Sequence, residues 1–333
     1  MLRSFIVFFG LNCMMLADVR SGFIFEQAPF ASCHASTITE TRPGEFLAAW
    51  FGGDAEGKPN VAIWGSRMVD GLWSPPFALV REPNIATYNP VLFYTKDRTL
   101  WLYYKFGPHP TAWTGGRLSS KDDGKTWSQP EHLPAGIYGP IKNKPLVLSD
   151  GSVVSGTSVE SYQAWTAWVE RSQDNGKTWT KHGPIVYPGE NRAAIQPAVV
   201  RLRDGRLRMF VRTTDKIGYI ASADSNDGGA HWSELRKTTL PNPNSGIDAV
   251  GLQDGRILMI YNHTRMKRSP LNLAISDDGE NWSMIRTLEA DEGEYSYPAI
   301  IQAADGTIHA TYTWHRQRIK HVAIPPNLLA TKQ

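Results

Sequence analysis

The 333-residue chain is long enough to bury a large core, and its net charge is only +3, with acidic and basic residues interleaved. No Lys/Arg block marks a nucleic-acid or membrane binder, so positive charge that matters should be local to a pocket. With 20% charged and 11% aromatic residues, 29 Gly, 22 Pro and 12 Trp, the composition fits many short strands joined by tight turns and leaves no disordered segment.

At the N-terminus, Arg3 precedes an apolar run from Phe5 to Leu16, broken by Asn12 and followed by Ala17. A basic start, an apolar stretch too short to span a bilayer and small residues predict a secretory leader over residues 1–20. Cleavage is expected between Ala17 and Gly22, giving a secreted or periplasmic protein; a buried first strand is the alternative reading. Loss of Cys13 with the leader would leave Cys33 alone, so no intramolecular disulfide is expected and packing must hold the fold.

From there a repeat governs the chain. The pattern Ser-x-Asp-x-Gly-x-x-Trp is matched by Ser120, Asp122, Gly124 and Trp127, by Ser172, Asp174, Gly176 and Trp179, and by Ser225, Asp227, Gly229 and Trp232. A fourth copy, Ser276 to Trp282, is one residue short, and a fifth, Ser66 to Trp73, is degenerate. A second marker runs in phase. Turn pairs recur at Pro43-Gly44, Lys96-Asp97, Asp150-Gly151, Asp204-Gly205, Asp254-Gly255 and Asp305-Gly306, each between alternating apolar runs. Asp-Gly between such runs signals a hairpin, because Gly takes the positive φ that the tight turn needs. Six hairpins predict six blades, and the fold expected over residues 23–326 is an all-β, six-bladed β-propeller. The boxes are read as structural staples between the two outer strands of a blade: Asp and Ser bond backbone amides across a turn, and Trp packs beneath it. Phe23 to Gln27 is expected to complete the sixth blade, beside strands at Thr307 to Trp314 and His315 to Ile324, and so remove free sheet edges.

Residues just before the first strand and just after the second strand of each blade converge on one face near the axis. The first set holds His34, Asn89, Lys142 to Lys144, Gln196, Asp248, and Tyr295 to Tyr297. The second holds Asp54 and Glu56, Lys105, Glu160, Arg212, Asn262 with Arg265, and Trp314 with Arg316. Guanidinium forks, amides, hydroxyls and aromatic walls in one ring suit an acidic sugar. No Cys/His cluster has zinc spacing and no phosphate-binding Gly loop follows a strand, so no metal, nucleotide or other cofactor is expected. The expected partner is a glycan or oligosaccharide, with no nucleic acid and no membrane span.

On these motifs, over about residues 25 to 325, the chain resembles the sialidase (neuraminidase) superfamily, and more narrowly its bacterial-type "predicted neuraminidase" branch with BNR repeats. The resemblance implies arginines on the sugar carboxylate, an acid/base Asp, and a Tyr nucleophile helped by a Glu; sialidases depart in this from the two-carboxylate glycosidases. It implies that Arg212, closing the run from Gln196, is the second arginine and that Arg268 is the third. It places the nucleophile at Tyr295, in Tyr295-Ser296, and the acid/base at Asp54 or Glu56, in the loop Gly52 to Gly57. Two positions depart from the pattern. His34 stands near the place of the first-blade arginine, and Gln196, which cannot accept a proton, replaces the Glu partner of the Tyr; Glu294 or Glu160 is left to substitute. Asn89, Lys144, Asp248 and Glu160 are further candidate substrate contacts.

The resemblance implies an exo-acting glycoside hydrolase on glycans capped by sialic acid or a related acidic sugar. The two departures suit a second class, a uronate-specific polysaccharide lyase, in which an arginine neutralises the carboxylate and His34 or Tyr295 removes the neighbouring proton. A non-catalytic carbohydrate-binding propeller is the third reading, since a fold alone does not decide among them.

Overall fold

The computed structural model describes residues 18–329. The leader expected over residues 1–20 lies, up to residue 17, outside the described residues. Among the described residues there is no α-helix, only strands, turns and two short 3₁₀ segments, and no helix is long and apolar enough to cross a membrane.

The strands form six antiparallel sheets in a ring, the six blades that the hairpin count predicts. Blade I pairs Ser32–Arg42, Glu45–Gly53, Ala62–Val69 and Leu72–Trp73, with Phe77–Val80 also on the third strand. Blade II holds Thr87–Tyr94, Leu100–Phe106, Thr114–Ser120 and Glu131–His132, and blade III holds Leu146–Val147, Val153–Glu160, Trp165–Ser172 and Thr180–Ile185. Blade IV holds Ala194–Arg201, Leu207–Thr213, Tyr219–Ser225 and Arg236–Pro241; blade V holds Asp248–Gly251, Ile257–Tyr261, Leu271–Ser276 and Ser283–Glu289. Blade VI is composite: Tyr295–Gln302, Ile308–Trp314 and Arg318–Ile324 are closed on the outside by Arg20–Phe23 from the other end of the chain. The closing strand thus lies three residues earlier than its sequence suggests, with Arg20 opposite Ala323 and Phe23 opposite Lys320.

The core is a set of wedges between neighbouring blades. Leu47 and Ala49 pack on Leu92 and Leu100 between blades I and II, Val154 and Val169 on Val199 and Met209 between III and IV, and Phe210 and Ile220 on Ile257 and Met259 between IV and V. Each well-formed box sits between the third and fourth strands and leans on the preceding blade. Trp179 donates to Tyr103 Oη at 3.0 Å, and Trp282 meets Phe210 edge-on at 5.4 Å. Inside each box Ser donates to Asp and accepts the Gly amide, as in Ser172 Oγ to Asp174 (2.8 Å) and Gly176 N–H to Ser172 (2.9 Å). The degenerate copy in blade I makes no such network; Asp70 and Gly71, both at positive φ, form a tight hairpin turn, with Met68 opposite Trp73.

The box aspartates respond to acid in a predictable direction. Hydrogen bonds from Thr126 to Asp122, from the His231 amide to Asp227 and from the Asn281 amide to Asp278 hold these carboxyls below the usual range. An unfolded Asp titrates near about 3.9. Because the folded values are depressed, this stabilisation is complete above about pH 4 and is lost as pH falls further. Calorimetry should therefore show a melting temperature that begins to decline below about pH 6.5, where the buried neutral His34, His309 and His321 resist the protonation that the unfolded chain accepts, and that falls more steeply below about pH 4 as the box carboxyls protonate. A melting temperature that rises on acidification through that window excludes this account.

Candidate functional site at the mouth of the propeller

The inner strands carry a shared irregularity. In blades I, II, IV and VI the register slips between His34 and Thr37, Tyr88 and Val91, Ile195 and Ala198, and Ser296 and Ala299. At each slip one non-glycine residue takes positive φ: Ala35, Asn89, Gln196 and Tyr297. A bulge leaves a residue unpaired and re-aims its side chain, and such strained residues cluster at functional sites. In blade V the corresponding residue is Gly246, where a Cβ would lie 3.3 Å from the Tyr297 ring and 3.5 Å from Gln196 Oε1. The missing side chain makes room for Tyr297.

Tyr297 is the centre of the site. Arg212 Nη1 donates to its Oη at 2.7 Å and Gln196 Nε2 at 3.1 Å. Arg212 also reaches Gln196 Oε1 (3.3 Å), and its Nε donates to Asn244 (2.8 Å). With two donors aimed at the phenol oxygen, the phenol hydrogen has no acceptor among the described residues. The His34 ring lies 4.2 Å from the Tyr297 ring, centroid to centroid. His34 is 1% exposed, and neither ring nitrogen has a hydrogen-bond partner. Burial, and then the charges of Arg316, Arg268, Arg212 and Lys142, hold it well below the usual imidazole range, so it is neutral.

Two further guanidinium groups complete the ring. Arg268 Nη1 (2.8 Å), Arg316 Nε (3.0 Å) and Ser296 Oγ (3.0 Å) all donate to Glu294 Oε1, and Arg316 Nη1 donates to Glu56. Burial opposes ionisation of Glu294, but Arg316, Arg268 and Ser296 outweigh it and hold the carboxyl below the usual range. Glu294 is therefore a clamp for two arginines, without a contact to Tyr297. Arg316 enters from the turn between the last two strands of blade VI, where His315 and Arg316 both have positive φ. Its carbonyl accepts the Cys33 amide at 2.8 Å, so this arginine stands beside His34, where blade I supplies none.

Several candidate residues lie elsewhere. Tyr295 is not in the ring: its side chain packs with Leu271, Ile300 and Tyr312 between blades V and VI, edge-on to His315 at 5.2 Å. Alternation alone would put Tyr295 and Tyr297 on one face; the register slip after Ser296 and the positive φ of Tyr297 re-aim the second, and it is Tyr297 that meets Arg212. Asn89 Nδ2 is spent on the Ile141 carbonyl (3.2 Å). Lys144 and Asp248 form a 2.9 Å ion pair, and Asp248 also accepts the Ile300 amide at 2.9 Å. Lys144 lines the opposite, hairpin-turn side of the ring with Leu202 and Gly255. These groups rivet the short inner segment of blade III across the axis, as do Lys142, which donates to the Ile247 carbonyl (2.9 Å) and to Pro298, and Asn143, which donates to the Gln196 carbonyl (3.0 Å). Lys105 is buried on the Pro140 carbonyl, its pKa pushed down to about 7 by burial. Asp54 is exposed on its loop, its amide bonded to Asn60, while Glu56 reaches the ring through Arg316. Glu160 is half-buried, and burial raises its carboxyl above the usual range against the charges of Arg212 and, more weakly, Arg192, with Glu56 adding to the rise.

Arg316, Tyr297 and Lys142 stand in the converging set that the repeat defines, yet the motif match gave them no role. The cue for Tyr297 was in the sequence: Asn89-Pro90, Gln196-Pro197 and Tyr297-Pro298 recur in the same phase. A concavity of about 970 Å³ between blades VI and I is lined by Phe23, Phe25, Trp73, His309 and His321 and holds none of the ring residues.

A six-bladed ring stapled by Asp-boxes, with arginines gathered at one end of its axis, is a propeller of the sialidase type. The chain belongs to the BNR repeat-like domain family, whose model matches residues 44–310. It is 27% identical over 212 residues to a sialidase of Bacteroides fragilis, covering 58% of this chain and 38% of that protein. It is also 27% identical over 169 residues to a sialidase of Micromonospora viridifaciens, covering 47% and 25%. The chain thus spans well under half the length of these curated relatives. Among solved structures it is similar to a Dyadobacter fermentans protein of unknown function (TM-score 0.78, 19% identity, 92% of this chain and 98% of that one). It is likewise similar to the intramolecular trans-sialidase of Ruminococcus gnavus (TM-score 0.75, 15% identity, 94% and 99%). At these identities the likeness concerns the fold.

Proposed function

We propose that this protein is an exo-acting glycoside hydrolase that removes a terminal acidic sugar, sialic acid or a relative, from a glycan. The observation that supports this most is the convergence of Arg212, Arg268 and Arg316 from blades IV, V and VI around Tyr297. Arginine forks recognise a carboxylate with paired, charge-assisted hydrogen bonds. Arg212 and the Glu294-clamped pair would hold the sugar's carboxylate, fixing the anomeric carbon over the Tyr297 oxygen. Positive charge that develops there as the glycosidic bond breaks is then met by that oxygen, by attack or electrostatically.

NMR of the products after incubation with α-sialosides and with uronate-capped oligosaccharides tests the reading. Free acidic sugar is expected from the first, and Arg212→Ala should lower kcat/KM by about 10²-fold or more, the loss of a charge-assisted contact worth about 3 kcal/mol. No release from any acidic-sugar glycoside rejects the proposal.

One observation favours a uronate lyase as a second reading. His34 is neutral, has no partner on either nitrogen and lies against Tyr297, as a base would, and Gln196 gives the phenol no carboxylate helper. An unsaturated uronate among the products would establish that class.

A further inference from the structure

We infer that Glu160 is the group that delivers the proton to the departing glycosidic oxygen; this rests on the hydrolase reading above. The groups at the mouth form a circuit: Arg212 touches Tyr297, the Arg268–Glu294–Arg316 cluster follows, Arg316 holds Glu56, and Glu160 pairs in register with Trp165, whose ring lies 5.9 Å from the Arg212 guanidinium. Each other carboxyl of that circuit is committed. Glu294 accepts from three donors and Glu56 is paired with Arg316. Glu160, at the end of Val153–Glu160, has no hydrogen-bond partner among the described residues, and the charges that reach it are those of Arg212, Glu56 and Arg192.

Its placement also fits the leaving group. Glu160 is directly opposite Trp165 in the register of blade III. The Trp165 ring lies 5.9 Å from the Arg212 guanidinium and 4.8 Å from that of Arg192. Tyr162, in the connection between these two strands, is 90% exposed. This side of the mouth is an aromatic and cationic shelf, suited to the sugar that is cut away. Burial keeps the proton on this carboxyl to higher pH than on a solvated one, even against the Arg212 charge.

In the step, the Glu160 O–H bond breaks and its proton goes to the glycosidic oxygen. The C–O electron pair leaves with that oxygen as an alcohol, and the cationic anomeric carbon is held against the neutral Tyr297 oxygen, with no bond formed to it and the phenol keeping its proton. A water then adds to that carbon and returns one proton to the Glu160 carboxylate.

The test compares Glu160→Gln and Asp54→Asn on two substrates, sialyl-lactose and an aryl α-sialoside whose phenol leaves without help. Glu160→Gln should slow sialyl-lactose by about 10²–10⁴-fold in kcat, slow the aryl sialoside by less than about tenfold, and abolish the fall of activity at high pH. External formate should restore part of the sialyl-lactose rate in Glu160→Ala, which a merely structural role would not allow. Equal slowing of both substrates by Glu160→Gln, or loss of the high-pH limb in Asp54→Asn instead, overturns the assignment. A folded wild-type protein inert on both substrates overturns the hydrolase reading, and this inference with it.

Discussion

Tyr297→Phe is expected to lower kcat on an acidic-sugar glycoside by about 10³-fold or more, while Tyr295→Phe keeps activity within about twofold of wild type. Removing one hydroxyl from Tyr297 deletes the atom that receives the Arg212 and Gln196 hydrogen bonds and that faces the reacting carbon, a loss in the range found for displaced nucleophiles. Tyr295 is buried in an apolar cluster, so its ring and not its oxygen holds it in place. Steady-state kinetics of the two variants, with melting curves to show that both are folded, decide the matter. If Tyr295→Phe is the inactive one, the site is centred two residues earlier on the strand than where we place it.

A second large effect is expected on stability. In Lys144→Met the Asp248 carboxyl, 2% exposed, loses its cation and stays buried. Breaking a buried pair from one side costs about 3–5 kcal/mol, which at this size lowers the melting temperature by roughly 4–7 °C. Were Lys144 a substrate contact, the change would fall on KM with the melting temperature held. Thermal unfolding and KM measured on the same preparation separate the two.

The contrast between these residues shows what the sequence does and does not reveal. The boxes at Ser120, Ser172, Ser225 and Ser276 and the Asp-Gly turns are local chemistry, since each motif is satisfied within a few residues, and the six blades follow from them. The ring is not local. Tyr295 and Tyr297 are two residues apart, so strict alternation puts both on one face; the bulge after Ser296 separates them, and the Tyr-Ser motif alone points to the one that is turned away from the axis. Lys144 and Asp248 look like pocket groups because they are polar at converging positions, yet they find each other across the axis. Arg316 stands beside His34, where the family motif seeks a first-blade arginine, and only the closed ring shows that blades VI and I are neighbours there.

That closure bears on how the chain acquires its shape. Arg20–Phe23 is the earliest described strand to leave the ribosome, and its partner Arg318–Ile324 is the last. Five blades can form in order as they are made, each on the one before, while the opening strand waits for almost the whole chain. Its pairing spans about three hundred residues, so it carries a large loop-closure entropy and belongs to the slow, non-local class of contacts. The Arg316 turn hangs from the same late blade. On this order of events the protein assembles most of its ring first, and the arginine cluster at its mouth comes together only when the circle is sealed.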